Sequence, residues 1–223
     1  MSVLPFQGVR AVLFDLDGTL ADTAPDLARA ANTMRRARGL APLPLSALRP
    51  VASHGARGLL KVALDVTPSD ADYAQMRTEF LANYESALCV ESTLFAGVDS
   101  VLEDLAKRGL AWGIVTNKAT QFTTPLVAAL GLVPRAATVV SGDTTPHSKP
   151  HPAPLLFAAQ ALKVFPDACI YVGDDVRDIQ AGRAAGMRTV AAAYGYCADS
   201  DPALWGADAT ICVPQALLEL LVH

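Results

Sequence analysis

Asp15 and Asp17 stand one residue apart in Val12-Leu13-Phe14-Asp15-Leu16-Asp17-Gly18-Thr19-Leu20, where an apolar run from Val9 to Phe14 stops. A run of this kind that ends in acids, glycine and threonine reads as a buried strand emptying into a polar loop. Side chains alternate along an extended chain, so both carboxylates point to one side while Leu16 turns into the body of the protein. Two like charges held so close need a cation. Carboxylates and carbonyls suit a hard ion such as magnesium, which commonly bridges protein to phosphate. A carboxylate that attacks phosphorus forms an acyl-phosphate, and a second carboxyl can hand a proton to the leaving oxygen; Asp15 and Asp17 fit those two parts. A pair of surface turn acids is the plain alternative, so matching pieces elsewhere in the chain decide the matter.

Three further strand ends carry such pieces. After the apolar run Leu110 to Val115 comes Thr116-Asn117-Lys118, where a hydroxyl and backbone N–H groups can hold a phosphate oxygen. Lys149 lies in Ser148-Lys149-Pro150-His151-Pro152, a proline-stiffened loop before a helix, and its charge can offset that of carboxylates and phosphate together. The stretch Val172-Gly173-Asp174-Asp175-Val176-Arg177-Asp178 again ends a strand in acids, this time at a helix start. Asp174 reads as a direct metal ligand and Asp178 as an acid behind it. Asp175 is left between metal and helix, because acids at a helix start also suit its dipole.

The elements that must position these residues follow from periodicity. After Asp22-Thr23-Ala24-Pro25, a helix cap with an early proline, Leu27, Ala30, Ala31 and Met34 recur at helical spacing. Ser53 is placed to cap a short helix containing Leu59, Leu60 and Ala63, and Tyr73, Met76, Phe80 and Tyr84 mark a longer one. Residues 24–92 therefore read as an inserted helical cap domain without strands, and residues 1–23 and 93–223 as the core domain. From Gly97 onward helices and strands alternate, which is the pattern of a parallel sheet. The expected fold class is α/β, a Rossmann-like parallel sheet with helices on both faces, closed by a helix from Pro214.

Composition bounds the remaining classes. The chain has 223 residues, 52% of them hydrophobic, enough for one α/β domain with an insertion and a real core. A net charge of −4 without a lysine or arginine cluster argues against nucleic acid as a partner. No apolar run approaches the ~20 residues of a membrane span, and Met1-Ser2-Val3-Leu4-Pro5 has no basic stretch before an apolar one, so a cytoplasmic protein is expected. Cys89, Cys169, Cys197 and Cys212 form no CxxC pair and read as reduced thiols.

The set Asp15-Leu16-Asp17-Gly18-Thr19, Thr116, Lys149-Pro150 and Gly173-Asp174-Asp175 with Asp178 resembles, in order and spacing, the four motifs of the haloacid-dehalogenase-like phosphatases. The helical stretch after the first motif resembles the cap of their phosphoglycolate phosphatase branch. That resemblance implies Asp15 as nucleophile, Asp17 as general acid and then base, and Thr116, Asn117 and Lys149 around the phosphoryl group. It also implies Mg2+ held by Asp15, Asp174 and the backbone carbonyl of Asp17. The expected reaction is hydrolysis of a small-molecule phosphate monoester, 2-phosphoglycolate first, by a monomer or homodimer.

In the cap, Val51-Ala52-Ser53-His54-Gly55-Ala56-Arg57-Gly58 is the candidate specificity loop, with Arg57 able to pair with a substrate carboxylate and His54 beside it. A solvated surface placement is the alternative for both. Gly195-Tyr196 and Trp205-Gly206-Ala207-Asp208 resemble relatives that act on N-acetylmuramic acid 6-phosphate, the alternative substrate. A phosphosugar mutase of the same fold would keep the phosphoryl group on Asp15 long enough to return it. A dehalogenase would not need Asp17, a receiver-like module is hard to reconcile with Asp17 and the insertion, and no GxGxxG follows the first strand.

Overall fold

A computed structural model describes residues 5–197 and 200–221. The N-terminal reading on Met1–Leu4 lies outside them. Among the described residues six parallel strands form the main sheet, in the order β5-β4-β1-β6-β7-β8. They are β1 (Ala11–Phe14), β4 (Ala111–Val115), β5 (Thr138–Val140), β6 (Cys169–Gly173), β7 (Arg188–Ala192) and β8 (Ala209–Ile211). Every residue of β1 and β6 is buried, the pattern of strands covered on both faces.

Alternation along β1 splits the core in two. Val12 and Phe14 join one apolar cluster with Val101 and Leu105 of α5 (Val98–Lys107) and Leu126 of α6 (Thr120–Ala129). Ala11 and Leu13 join the other, with Leu155 and Ala159 of α7 (Ala153–Leu162) and Ala181 of α8 (Val176–Ala184). The expected closing helix runs from Pro214 to Leu220 and is a 3-10 helix. Its buried Pro214, Leu217 and Leu220 recur every third residue, the 3-10 period.

Between β1 and α5 lie α1 (Ala24–Ala37), α2 (Leu45–Leu48), a 3-10 turn (Arg49–His54), α3 (Gly55–Leu64) and α4 (Tyr73–Glu85). Leu27, Ala31, Met34, Leu59, Leu60, Phe80 and Tyr84 pack into a cluster of their own, which Phe122 and Tyr196 join from outside. Two-residue strands, β2 (Ala21–Asp22) and β3 (Thr93–Leu94), pair antiparallel where the chain enters and leaves this helical segment. Asp26 holds the same junction. Its carboxylate accepts from the backbone N–H groups of Val90, Glu91 and Ser92 and from the Ser92 hydroxyl at 2.6 to 3.1 Å, and Arg29 pairs with it at 2.7 Å. Burial opposes its charge, but the Ser92 hydroxyl and those N–H groups win and hold its carboxyl below the usual range.

Both expected caps turn out otherwise. Thr23 stands before α1, yet its hydroxyl donates to Asp17, and the Tyr196 hydroxyl accepts from the N–H groups of Thr23 and Ala24 at 2.7 and 2.9 Å. Ser53 does not cap α3, because the 3-10 turn runs on to His54 and breaks only at Gly55, whose φ of 58° favours glycine. Its hydroxyl goes to Asp174 instead.

Candidate active site

The register of β1 fixes the site. Phe14 lies opposite Ile114 of β4 on one side and Val172 of β6 on the other. Asp15, Thr116 and Asp174 therefore leave three adjacent parallel strands at the same end, the crevice where ligands bind in open α/β sheets. Asp15 donates its backbone N–H to Val172 O at 2.9 Å, and its Oδ1 accepts from Leu16 N at 2.8 Å and pairs with Lys149 Nζ at 2.9 Å.

Asp174 is fully buried. Thr19 Oγ1 donates to its Oδ1 at 2.9 Å, while Tyr196 N and Ser53 Oγ donate to Oδ2 at 3.0 and 3.1 Å. A Cβ on Gly18, which has φ of 86°, would lie 2.1 Å from Asp174 Oδ2. Glycine in the first motif thus serves the turn and leaves space for an acid 156 residues further along the chain.

One carboxylate oxygen each from Asp15, Asp174 and Asp178 lies within 4.8 Å of the others. Lys149 Nζ bridges Asp15 and Asp178 at 2.9 and 2.8 Å and also donates to Tyr171 Oη and Val115 O at 2.8 and 3.0 Å. Asp178 Oδ2 in turn accepts from Asp175 N at 3.1 Å. Asp178 is therefore committed to holding Lys149 and the start of α8. Burial pushes Asp15 up to about 7 against the pull of Lys149, with Asp178 and Asp17 adding to the rise. Burial, Asp15 and Asp178 push Asp174 well above the usual carboxylate range. Lys149 loses to burial but gains more from Asp15 and Asp178, so its ammonium is held firmly charged.

Asp17 faces a second lysine. Its Oδ1 receives the Thr23 hydroxyl and pairs with Lys118 Nζ at 3.1 Å. Thr116 is buried, and its Oγ1 accepts from Lys118 N at 3.1 Å. The Asn117 side chain clips the Lys149 loop through paired bonds to Lys149 O and N, both 2.9 Å, so only its backbone is left to face a ligand. Asp175 caps α8 and grips Arg177, whose Nη2 donates to Ser53 O at 2.9 Å.

The cleft over these groups encloses about 300 Å³. Asp15, Asp17, Thr116, Asn117 and Lys149 line one wall, and His54, Arg57, Tyr73, Arg77 and Tyr84 line the other. His54 and Arg57 are exposed, and His54 Nε2 comes within 3.7 Å of Asp175 Oδ2. Asp15 and Asp174 present hard oxygens in a buried corner where the Asp15 charge helps push Asp174 up, which fits a divalent cation such as magnesium.

Sequence reasoning left several neighbours unassigned. Lys118 follows Thr116-Asn117 directly, so its strand-end position was a usable signal. Tyr73, Arg77, Phe80 and Tyr84 share one face of α4 by their spacing, and that marks Arg77 as a cleft residue. Thr19, Ser53, Arg177 and Tyr196 act through contacts between distant segments and carry no such local signal.

A buried nucleophile-type carboxylate, a second carboxyl two residues on, and a lysine and acid from later strand ends define a hydrolase site of the α/β class. The chain belongs to the haloacid dehalogenase-like hydrolases, whose family model matches residues 12–192. It is 47% identical over 214 residues to a phosphoglycolate phosphatase of Xanthomonas campestris pv. campestris, covering 94% of this chain and 95% of the relative. It is 42% identical to an N-acetylmuramic acid 6-phosphate phosphatase of Pseudomonas putida, covering 96% of each. A crystal structure from Haemophilus somnus, described as a predicted phosphoglycolate phosphatase, superposes with a TM-score of 0.85 at 27% identity, covering 96% of this chain and 99% of that one.

Proposed function

We propose that this enzyme is a magnesium-dependent phosphatase that hydrolyses a small phosphate monoester through an aspartyl-phosphate on Asp15, with 2-phosphoglycolate as its substrate. The observation that carries this reading is the meeting of Asp15, Asp174 and Lys149 at one point of a cleft whose far wall bears Arg57 and Arg77. Asp15 attacks phosphorus, the phosphorus–oxygen bond to the alcohol breaks, and Asp17 gives its proton to the departing oxygen. Asp17, now a carboxylate, takes a proton from the water that attacks phosphorus; the bond to Asp15 breaks and phosphate leaves.

Lys149, Thr116 and the backbone beyond β4 hold the phosphoryl oxygens, since phosphoryl transfer depends mainly on positioning and charge neutralisation. Mg2+, held by the Asp15 and Asp174 carboxylates and the Asp17 carbonyl, would supply the remaining positive charge. Helices α1 to α4 serve as a cap that excludes water for the first step and admits it for the second.

A second substrate reading rests on size. At about 30 Å³ per water, the cleft holds more than a two-carbon acid fills, and Tyr73, Phe80, Tyr84 and Phe122 give it an apolar side. N-acetylmuramic acid 6-phosphate carries both a carboxylate and a bulkier body. Comparison of kcat/KM for 2-phosphoglycolate, N-acetylmuramic acid 6-phosphate and p-nitrophenyl phosphate, with and without Mg2+, tests the assignment. The first ester is expected to lead by about 100-fold, in the range of discrimination by pocket fit. A lead for the second would install the amino-sugar reading, and equal rates for all three would remove both.

A further inference from the structure

Among the described residues Lys118 is a largely covered cation of the cleft with no part in the reaction described above. Its side chain is 9% exposed, against 13% for Asp17. Lys118 Nζ lies 3.1 Å from Asp17 Oδ1, 3.2 Å from the Tyr84 hydroxyl and 4.7 Å from the centre of the Tyr84 ring. The backbone beneath it is pinned three ways. Its N–H donates to Thr116 Oγ1 at 3.1 Å, and its carbonyl accepts from Gly142 N at 2.8 Å and Thr123 Oγ1 at 3.0 Å. A Cβ on Gly142 would come 2.2 Å from Asn117 O, so the loop lies hard against the end of β5. Tyr84 belongs to α4, is buried, and packs against Phe122 of α6 with ring centres 5.6 Å apart and the rings tilted by 57°.

The two oxygens of Asp17 are treated differently. Lys118 and Thr23 both engage Oδ1, and among the described residues Oδ2 has no hydrogen-bond partner. A cation fixed on one oxygen of a carboxyl leaves the other as the proton-carrying oxygen. Lys149, by contrast, bonds to Asp15, Asp178, Tyr171 and Val115 and, among the described residues, makes no ion pair with Asp17.

We propose that Lys118 is a positioning residue for Asp17: its ammonium holds Oδ1, turns Oδ2 toward the leaving oxygen, and is itself fixed by the Tyr84 hydroxyl when α4 is docked. The acid that protonates the leaving group is thereby assembled by contact between the two walls of the cleft. The inference rests on the phosphatase reading and deepens it.

Leaving-group dependence separates this role from a merely structural one. An alkoxide must be protonated as it leaves, whereas p-nitrophenolate departs readily without a proton. In Lys118→Met, kcat/KM for 2-phosphoglycolate and for glycerol 2-phosphate is expected to fall by about 100-fold, the size of a lost general-acid contribution, while p-nitrophenyl phosphate changes by less than about threefold on the same ground. Lys118→Arg is expected to recover part of the alkyl ester rate. Tyr84→Phe, which removes one oxygen and leaves Lys118 in place, should show the same selectivity at about fivefold, so the test survives a poorly folding lysine variant.

Equal losses on all three esters would overturn the proposal in favour of a structural role. A loss confined to 2-phosphoglycolate would overturn it too, by making Lys118 a contact for the substrate carboxylate. Wild-type turnover of the alkyl esters checks the phosphatase reading itself, and the ratio between esters in the variants checks Lys118 alone.

Discussion

The two walls of the cleft are built on opposite plans. On the sheet side Asp15, Asp174, Asp178, Lys149 and Thr116 are all buried, and each is bonded to groups from at least one other segment. On the helical side Arg57 and Arg77 are exposed, and among the described residues neither has an ion-pair partner. Groups that stabilise developing charge work best when fixed in advance in a dry site. Groups that choose between substrates gain from reach and freedom, and sit on segments that can vary without disturbing the core. Under the proposed function, reaction and selection are divided between rigid and adaptable surfaces, with Lys118 and Tyr84 proposed to join them.

Substitution on the rigid wall should be the most damaging. Lys149→Met leaves Asp15 and Asp178 facing each other without their shared cation and removes a charge from the phosphoryl group, so kcat should fall by about 10³-fold. A fall below tenfold would show that the sheet wall tolerates rearrangement and would blur the contrast. At the junction of the two walls, Asp26→Asn leaves buried donors facing an amide and should cost about 3 kcal/mol of unfolding free energy.

The pH dependence of that cost has a definite sign. The Asp26 carboxyl is held below its unfolded value, so its stabilisation is full above about pH 4, near the unfolded value, and is lost as pH falls through the folded value. Denaturant titrations of both proteins should give a gap that is constant from neutral pH to about pH 5 and narrows in more acidic solution. A gap that widened on acidification would contradict the clasp described for Asp26.

On the adaptable wall, Arg57→Ala and Arg77→Ala should each raise KM for a carboxylated phosphate by about tenfold and leave p-nitrophenyl phosphate nearly unchanged, the loss of one charge-assisted contact. Equal effects on both esters would take that arginine out of substrate selection. The smallest effect is in bound protons, because Asp174 is pushed up as well as Asp15. Asp15 is pushed up to about 7 without metal, and a ligand carboxyl must be ionised to bind. Calorimetry near pH 7 in buffers of differing ionisation enthalpy should therefore detect proton release on Mg2+ binding that diminishes as pH rises.

Much of this arrangement was legible in the sequence where one strand supplied its own signal. Apolar runs ending in Asp15 and Asp174 located β1 and β6, and the turn to alternating helix and strand after Gly97 located the parallel sheet. What escaped lacks a local period or depends on distant partners. β2 and β3 are two residues each, too short to alternate. Thr23 and Ser53 look like helix caps, but the acids at the strand ends attract their hydroxyls more strongly than helix N–H groups do. Asp178 and Lys149 are 29 residues apart, and their pairing emerges only when β6 lies beside β1. Phe122 and Tyr196, far from residues 24–92 in sequence, join the apolar cluster of the helical segment.

Asp15 is proposed as the nucleophile of a centre that also contains Asp174 and Lys149. Asp15→Asn keeps the shape of the side chain and most of its hydrogen bonds, so its steady-state turnover of 2-phosphoglycolate with saturating Mg2+, alongside its thermal unfolding, is the most direct test. The account predicts a loss of about 10⁴-fold or more in kcat, as for removal of a nucleophile, in a protein that still unfolds cooperatively near the wild-type temperature. Turnover within tenfold of wild type in that folded variant would contradict it.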